Sequence, residues 1–306
     1  MDKHLKFLIK NKDSLVSSFS KLPMDLTEQK YTTANLHEKK NNFPNVLASD
    51  ESRVKLKRSS GDYINANYML DDKYIATQQP NEHTIVDFWH MIYQTKSKTI
   101  INVNGENNYL PLNDNETYDD ISVKVVNISR KENLEIRKLQ IYKTSLNELP
   151  LYIYHITFLK WKDFDIPKEE AFMRLLILTN ILETRECNDK PIVERRNAPI
   201  VVHCRAGIGR TGTFILIHYL HKQICLGNYL DPIETLKQMR KSRYGMIQNK
   251  RQFNFVLHVI INTSRNRIRL EPIKVKNPLS SSCGKMYNRA KTKKSSLSFS
   301  SEIIIS

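Results

Sequence analysis

His203-Cys204-Arg205-Ala206-Gly207-Ile208-Gly209-Arg210-Thr211-Gly212 is the stretch whose reading decides the fold. The apolar run Pro199-Ile200-Val201-Val202 leads into it and reads as a buried strand. Thr213-Phe214-Ile215-Leu216-Ile217-His218-Tyr219-Leu220 leads out and reads as a helix. A cysteine therefore sits where a strand stops and a helix starts. Gly207 and Gly209 permit tight turns between the two, so the backbone N–H groups of the loop can fold around an anion. The helix N-terminus favours negative charge and hence a thiolate at Cys204. Arg210, six residues on, can fork two hydrogen bonds onto phosphate oxygens. These residue types in this order suit attack on a phosphate ester through sulfur.

Spacing alone is a weak signal, and the chain carries its own decoy. Cys283 also has an arginine six residues later, Arg289, within Ser-Ser-Ser-Cys-Gly-Lys-Met-Tyr-Asn-Arg. No strand precedes that copy and no amphipathic helix follows it. Cys204 has the strand, the glycines, Thr211 and the helix, so Cys204 is the expected nucleophile.

The 306 residues are 40% hydrophobic, enough for one large domain or two small ones. A formal net charge of +16 suits anionic partners. No nucleic-acid-binding module accompanies the charge, so no nucleic acid is expected as partner. Steering of anionic substrates, with a basic tail, accounts for it. The four cysteines, Cys187, Cys204, Cys225 and Cys283, show neither paired nor zinc-like spacing, which fits a reduced cytoplasmic setting. The first ten residues do not read as a signal peptide, no apolar run is long enough to span a bilayer, and no lipidation motif is present.

Alternation and helical periodicity give a coarse map. Strands are expected at Tyr63–Met69, Lys73–Thr77, Thr99–Val103, Ile121–Ile128, Leu134–Tyr142 and Leu151–Leu159. Helices are expected from Pro80 to about Gln94, from Lys168 to about Glu186, over Pro232–Arg243 and over Gln248–Ile268. The expected class is α/β (α+β): a central, highly twisted mixed β-sheet flanked by helices. Residues 1–34 read as a helical extension packed on a domain spanning 35–268. Residues 269–306, rich in Ser and Lys, read as a disordered basic tail.

The loop at 203–212 resembles the signature of the protein tyrosine phosphatases. Further blocks resemble that family in its order: Asp62-Tyr63-Ile64-Asn65-Ala66-Asn67-Tyr68, Tyr74-Ile75-Ala76-Thr77-Gln78-Gln79-Pro80, Asp87-Phe88-Trp89-His90-Met91-Ile92 and Gln248-Asn249-Lys250-Arg251-Gln252-Phe253. The resemblance implies a single catalytic domain that uses neither metal nor organic cofactor and acts, as a monomer, on phosphotyrosine-containing proteins. It implies Cys204 as nucleophile, with a cysteinyl-phosphate intermediate. Arg205, Ala206, Gly207, Ile208 and Gly209 supply backbone amides to the phosphate, and Arg210 grips its equatorial oxygens. Thr211 is expected to donate to the cysteine sulfur or to cap the helix. His203 is expected either to support the thiolate from behind or to serve as a core histidine.

Asp163, in Trp161-Lys162-Asp163-Phe164-Asp165, matches the general acid on the family's mobile loop. Lys162 replaces the usual proline and Asp165 the usual glycine, which predicts slower or less complete closure. Gln248 and Gln252 match the glutamines that position water, with Asn249 in place of the usual threonine. In Lys40-Asn41-Asn42-Phe43-Pro44-Asn45-Val46, Phe43 stands where the family stacks a tyrosine on the substrate ring. Asn45 stands where an aspartate grips the substrate backbone. The segment after Val103 looks shortened, and Glu106 matches the family's supporting glutamate only loosely. Two alternatives stay open: a phosphotyrosine-binding module that traps substrate, and a dual-specificity or phosphoinositide phosphatase. Arg205 and the divergent acid loop are also similar to the phosphatases of parasitoid-wasp polydnaviruses, which would imply action on signalling in a host cytoplasm.

Overall fold

The apolar run before Cys204 is a central strand in the computed structural model, which describes residues 3–25, 29–145, 148–188 and 198–266. Nine strands form one mixed sheet among the described residues. They are β1 (Arg53–Lys55), β2 (Tyr63–Met69), β3 (Tyr74–Gln78), β4 (Thr99–Asn102), β5 (Asn115–Tyr118), β6 (Ile121–Lys131), β7 (Leu134–Lys143), β8 (Leu151–Phe158) and β9 (Ile200–Cys204). Their spatial order is β1-β2-β3-β9-β4-β8-β7-β6-β5. The four central strands β3, β9, β4 and β8 run parallel, and the outer ones pair antiparallel. All of β9 is buried, as its unbroken apolar run requires of a strand covered on both faces, whereas β6 becomes largely exposed along its length.

Among the described residues, eight α-helices flank the sheet: α1 (Lys3–Lys10), α2 (Lys12–Lys21), α3 (Thr32–Asn35), α4 (Ile85–Thr95), α5 (Glu169–Asn188), α6 (Gly209–Cys225), α7 (Pro232–Ser242) and α8 (Lys250–Asn266). The α/β class expected from the sequence is the one observed. Helix α6, which follows the signature loop, is buried from Gly209 through His221 and packs along α8. Helices α1 and α2 also pack on α8, with Phe19 stacked on Phe253 at 4.7 Å between centroids. Asp231 caps α7, accepting from the Ile233 and Glu234 N–H groups at 2.7 and 3.3 Å, with Pro232 at the first helical position.

Several features differ from the sequence reading. The helix expected at Pro80 begins at Ile85, because Asn81 and Thr84 first close a turn. The Asn81 N–H donates to Thr84 Oγ1 and the His83 N–H to Asn81 Oδ1, both at 2.9 Å. Strands β1 and β5 were not expected, being three and four residues long at the two edges of the sheet. Gln248 precedes α8 rather than lying on it. The tail at 269–306, with Cys283, lies outside the described residues.

Candidate active site

Cys204 ends β9, between two strands parallel to it, where sheets of this kind place their ligands beyond the carboxyl ends of the strands. Its thiol is buried, and the Gly207 N–H reaches Sγ at 3.3 Å. Gly207 has φ +72°, and a Cβ there would lie 2.2 Å from the Thr77 carbonyl oxygen. Only glycine therefore lets the loop press against the end of β3.

The loop is oriented from behind by a residue the sequence reading used only as a landmark. Arg243 is wholly buried. It donates to the Gly207 and Ala206 carbonyls at 3.0 and 3.1 Å and to Asn67 Oδ1 and Asn65 Oδ1 at 2.6 and 2.7 Å. In a trans peptide the carbonyl of one residue and the N–H of the next point opposite ways. Holding those two carbonyls turns the Gly207 and Ile208 N–H groups away from Arg243, and the first of them lands on the sulfur. The Arg205 carbonyl is held similarly, by the Gln79 N–H at 3.2 Å. Burial pulls the Arg243 guanidinium down to about 10, so it remains charged at neutral pH.

Arg210 ties two other stretches of the chain to the signature loop. It donates through Nη1 to the Trp161 carbonyl at 2.8 Å and through Nη2 to Asn104 Oδ1 at 2.9 Å, and Nη2 lies 3.1 Å from Asp163 Oδ1. Asp163 is thus brought to the signature arginine. The side chain of Glu106 sits one step back, accepting from Asn104 Nδ2 at 3.2 Å. Asn104, which sequence reasoning left unassigned, stands between Glu106 and Arg210. Arg210 Nε is buried without a protein acceptor among the described residues, as is Gln252 Nε2, a set of donors suited to oxyanions.

Other expected residues fall as follows. Helix α6 starts at Gly209 with Ile208 before it, so Thr211 lies inside the first turn and does not cap it. Thr211 Oγ1 is buried and has no hydrogen bond to the cysteine sulfur. His203 is buried in a chain: Tyr109 Oη lies 2.5 Å from His203 Nε2 and 2.5 Å from His155 Nε2. Burial pushes His203 down to about 3, so it is a neutral imidazole that places no positive charge behind the thiol.

Gln252 Oε1 accepts from the Gln248 N–H at 3.0 Å, and a Cβ on Gly209 would meet Gln248 Oε1 at 2.3 Å and Gln252 Nε2 at 3.1 Å. Both glutamine amides therefore press on the signature loop. Asn249 Oδ1 caps α8 by accepting from the Gln252 N–H at 2.9 Å. Its Nδ2 donates to the Phe164 carbonyl of the acid loop, also at 2.9 Å. Phe43, Asn45, Asp163, Cys204, Arg205 and Gln248 line one open pocket of about 370 Å³.

A mixed sheet with a cysteine at the end of a central strand, an arginine in the first turn of the helix that follows, and an aspartate brought onto that arginine defines a phosphatase architecture. The family model "Protein-tyrosine phosphatase" matches residues 37–262, well over half the chain, and the chain belongs to that family. It is similar to human tyrosine-protein phosphatase non-receptor type 7, at 32% identity over 80% of this chain and 70% of that protein. It is also similar to human receptor-type tyrosine-protein phosphatase R, at 30% identity over 84% of this chain, and to the Drosophila melanogaster tyrosine-protein phosphatase Lar, at 30% over 74%. The match spans 40% of the former protein and 11% of the latter. No helix among the described residues is long and apolar enough to cross a membrane.

Proposed function

We propose that the chain is an active protein tyrosine phosphatase that hydrolyses phosphotyrosine in proteins through a cysteinyl-phosphate. The observation that carries this reading is that Cys204 and Asp163, about forty residues apart in sequence, line one pocket, with Asp163 paired to the signature arginine Arg210. In the first step the Cys204 thiolate forms a bond to phosphorus as the phosphorus–phenol bond breaks, and Asp163, protonated, gives its proton to the leaving phenolate oxygen. Backbone N–H groups from Arg205 to Gly209 and the Arg210 fork stabilise the charge of the trigonal phosphoryl. In the second step a water held by Gln248 and Gln252 gives its proton to the Asp163 carboxylate and attacks phosphorus. The sulfur leaves as thiolate, and inorganic phosphate is released. Phe43 at the pocket wall suits a phenyl ring.

The finer reading, a polydnavirus-type enzyme acting as a monomer on host signalling in the cytoplasm, is supported by Arg205 after the nucleophile and by the altered acid loop. Phosphate release from phosphotyrosine peptides by the purified chain tests the activity. Cys204→Ser should abolish turnover, whereas Cys283→Ser should leave it unchanged. Asp163→Ala should slow tyrosyl substrates by about 100-fold or more, the usual contribution of a general acid. Peptide binding without turnover in the unaltered chain would instead establish a substrate trap.

A further inference from the structure

Arg205 is the only exposed residue of the signature loop. Its guanidinium carbon lies over the Phe43 ring, 5.6 Å from the centroid, and both residues line the pocket that holds Cys204. Among the described residues Arg205 forms no ion pair. Asp163, the one carboxylate lining the pocket, is engaged by Arg210 at 3.1 Å. Asn45, on the same wall, contributes an uncharged amide. The mouth of the pocket therefore carries one uncompensated cation beside the aromatic ring.

A ring face holds a guanidinium through its quadrupole without neutralising the charge. The N–H fork remains available to a second anion, and carboxylate geometry matches it. Successive residues of an extended peptide lie about 3.3–3.6 Å apart. Arg205 is exposed and lines the pocket that holds Cys204, so its long side chain can reach an acidic residue flanking a phosphotyrosine seated there.

We propose that Arg205 is a specificity-determining residue that selects phosphotyrosine peptides with a carboxylate side chain directly beside the phosphotyrosine. The inference rests on the phosphatase reading above. It is tested on the full chain with matched phosphotyrosine peptides that carry Glu or Gln at the flanking positions, by comparing kcat/KM within each protein variant. The Glu peptide should be favoured by about 1.5- to 5-fold at low salt, the scale of one exposed charge-assisted contact. The ratio should shrink toward one at about 0.5 M salt, where the screening length is a few ångströms. Arg205→Gln should remove the preference and Arg205→Lys should keep part of it. Because each ratio is taken within one variant, a general loss of activity does not move it.

Equal rates on the Glu and Gln peptides in the unaltered chain, or a preference that survives Arg205→Gln, would overturn the assignment while leaving the phosphatase reading intact. Arg205-dependent hydrolysis of inositol 1,3,4,5-tetrakisphosphate, run as a comparison and faster than that of any peptide, would overturn the choice of a peptide. No turnover of any phosphotyrosine peptide would sink both readings together.

Discussion

Arg243 shows how much of this site depends on groups that never meet a substrate. Its four donated bonds fix two loop carbonyls and two asparagine side chains, three of them fully buried. Arg243→Met keeps much of the volume and leaves those acceptors unpaired. An unpaired buried polar group costs about 1–3 kcal/mol, so a loss of more than about 3 kcal/mol is expected, read as a lower urea midpoint. Arg243→Lys should recover only part of it, since one ammonium cannot reproduce a planar fork. An unchanged midpoint in the methionine variant would refute this account of the loop. Cys204 and Arg210 were legible in the sequence because strand, loop and helix are contiguous there. Arg243, Asn104 and Tyr109 were not, because each acts on the signature loop from at least thirty residues away and carries no local pattern of its own.

The acid loop is the element where reading residues one at a time leaves the most out. Taken one at a time, Lys162 and Asp165 predict a loop that closes poorly. In the folded chain Asp165 Oδ1 lies 2.8 Å from Arg251 Nη2, and Asn249 holds the Phe164 carbonyl. Trp161 Nε1 also donates to the Asp165 carbonyl at 2.8 Å. Two departures from the family pattern, Asp165 and Asn249, thus belong to one brace between the acid loop and the start of α8. Their partnership is invisible locally, because about eighty residues separate them. The Asp165–Arg251 pair is largely exposed, and such pairs contribute about 0.2–1 kcal/mol. Arg251→Ala should therefore lower kcat on phosphotyrosine peptides by about 1.5- to 5-fold. The effect should be smaller on p-nitrophenyl phosphate, whose leaving group needs less help from Asp163. Asn249→Ala should lower the same rate and also reduce stability by about 0.5–2 kcal/mol through loss of the α8 cap. Equal losses on both leaving groups would show that the brace does not act through the acid.

Across the whole molecule, buried imidazoles couple folding to acidity. Burial holds His203 at about 3 and His221 at about 4, and pushes His155 well below its ordinary value. Each binds a proton more readily when unfolded, near pH 6.5. Their contribution is therefore complete above about pH 6.5 and is lost as pH falls toward the folded values. Glu183, held down at about 2 mainly by His218, adds a loss in the same direction below about pH 4.5. Stability should fall between pH 7 and pH 5 by on the order of 1 kcal/mol per pH unit for each buried histidine. Urea midpoints that stay flat over that range would contradict the argument. Of these couplings, the one through Tyr109 joins the strand of the nucleophile to the strand that leads into the acid loop. Its phenol oxygen sits between His203 Nε2 and His155 Nε2 and owns one proton. It can donate to one neutral ring only, so the other ring must donate to it. The two histidines are therefore locked into opposite tautomers, a proton order running from β9 to β8 that imidazole nitrogen NMR would resolve as one Nε2–H and one Nδ1–H ring.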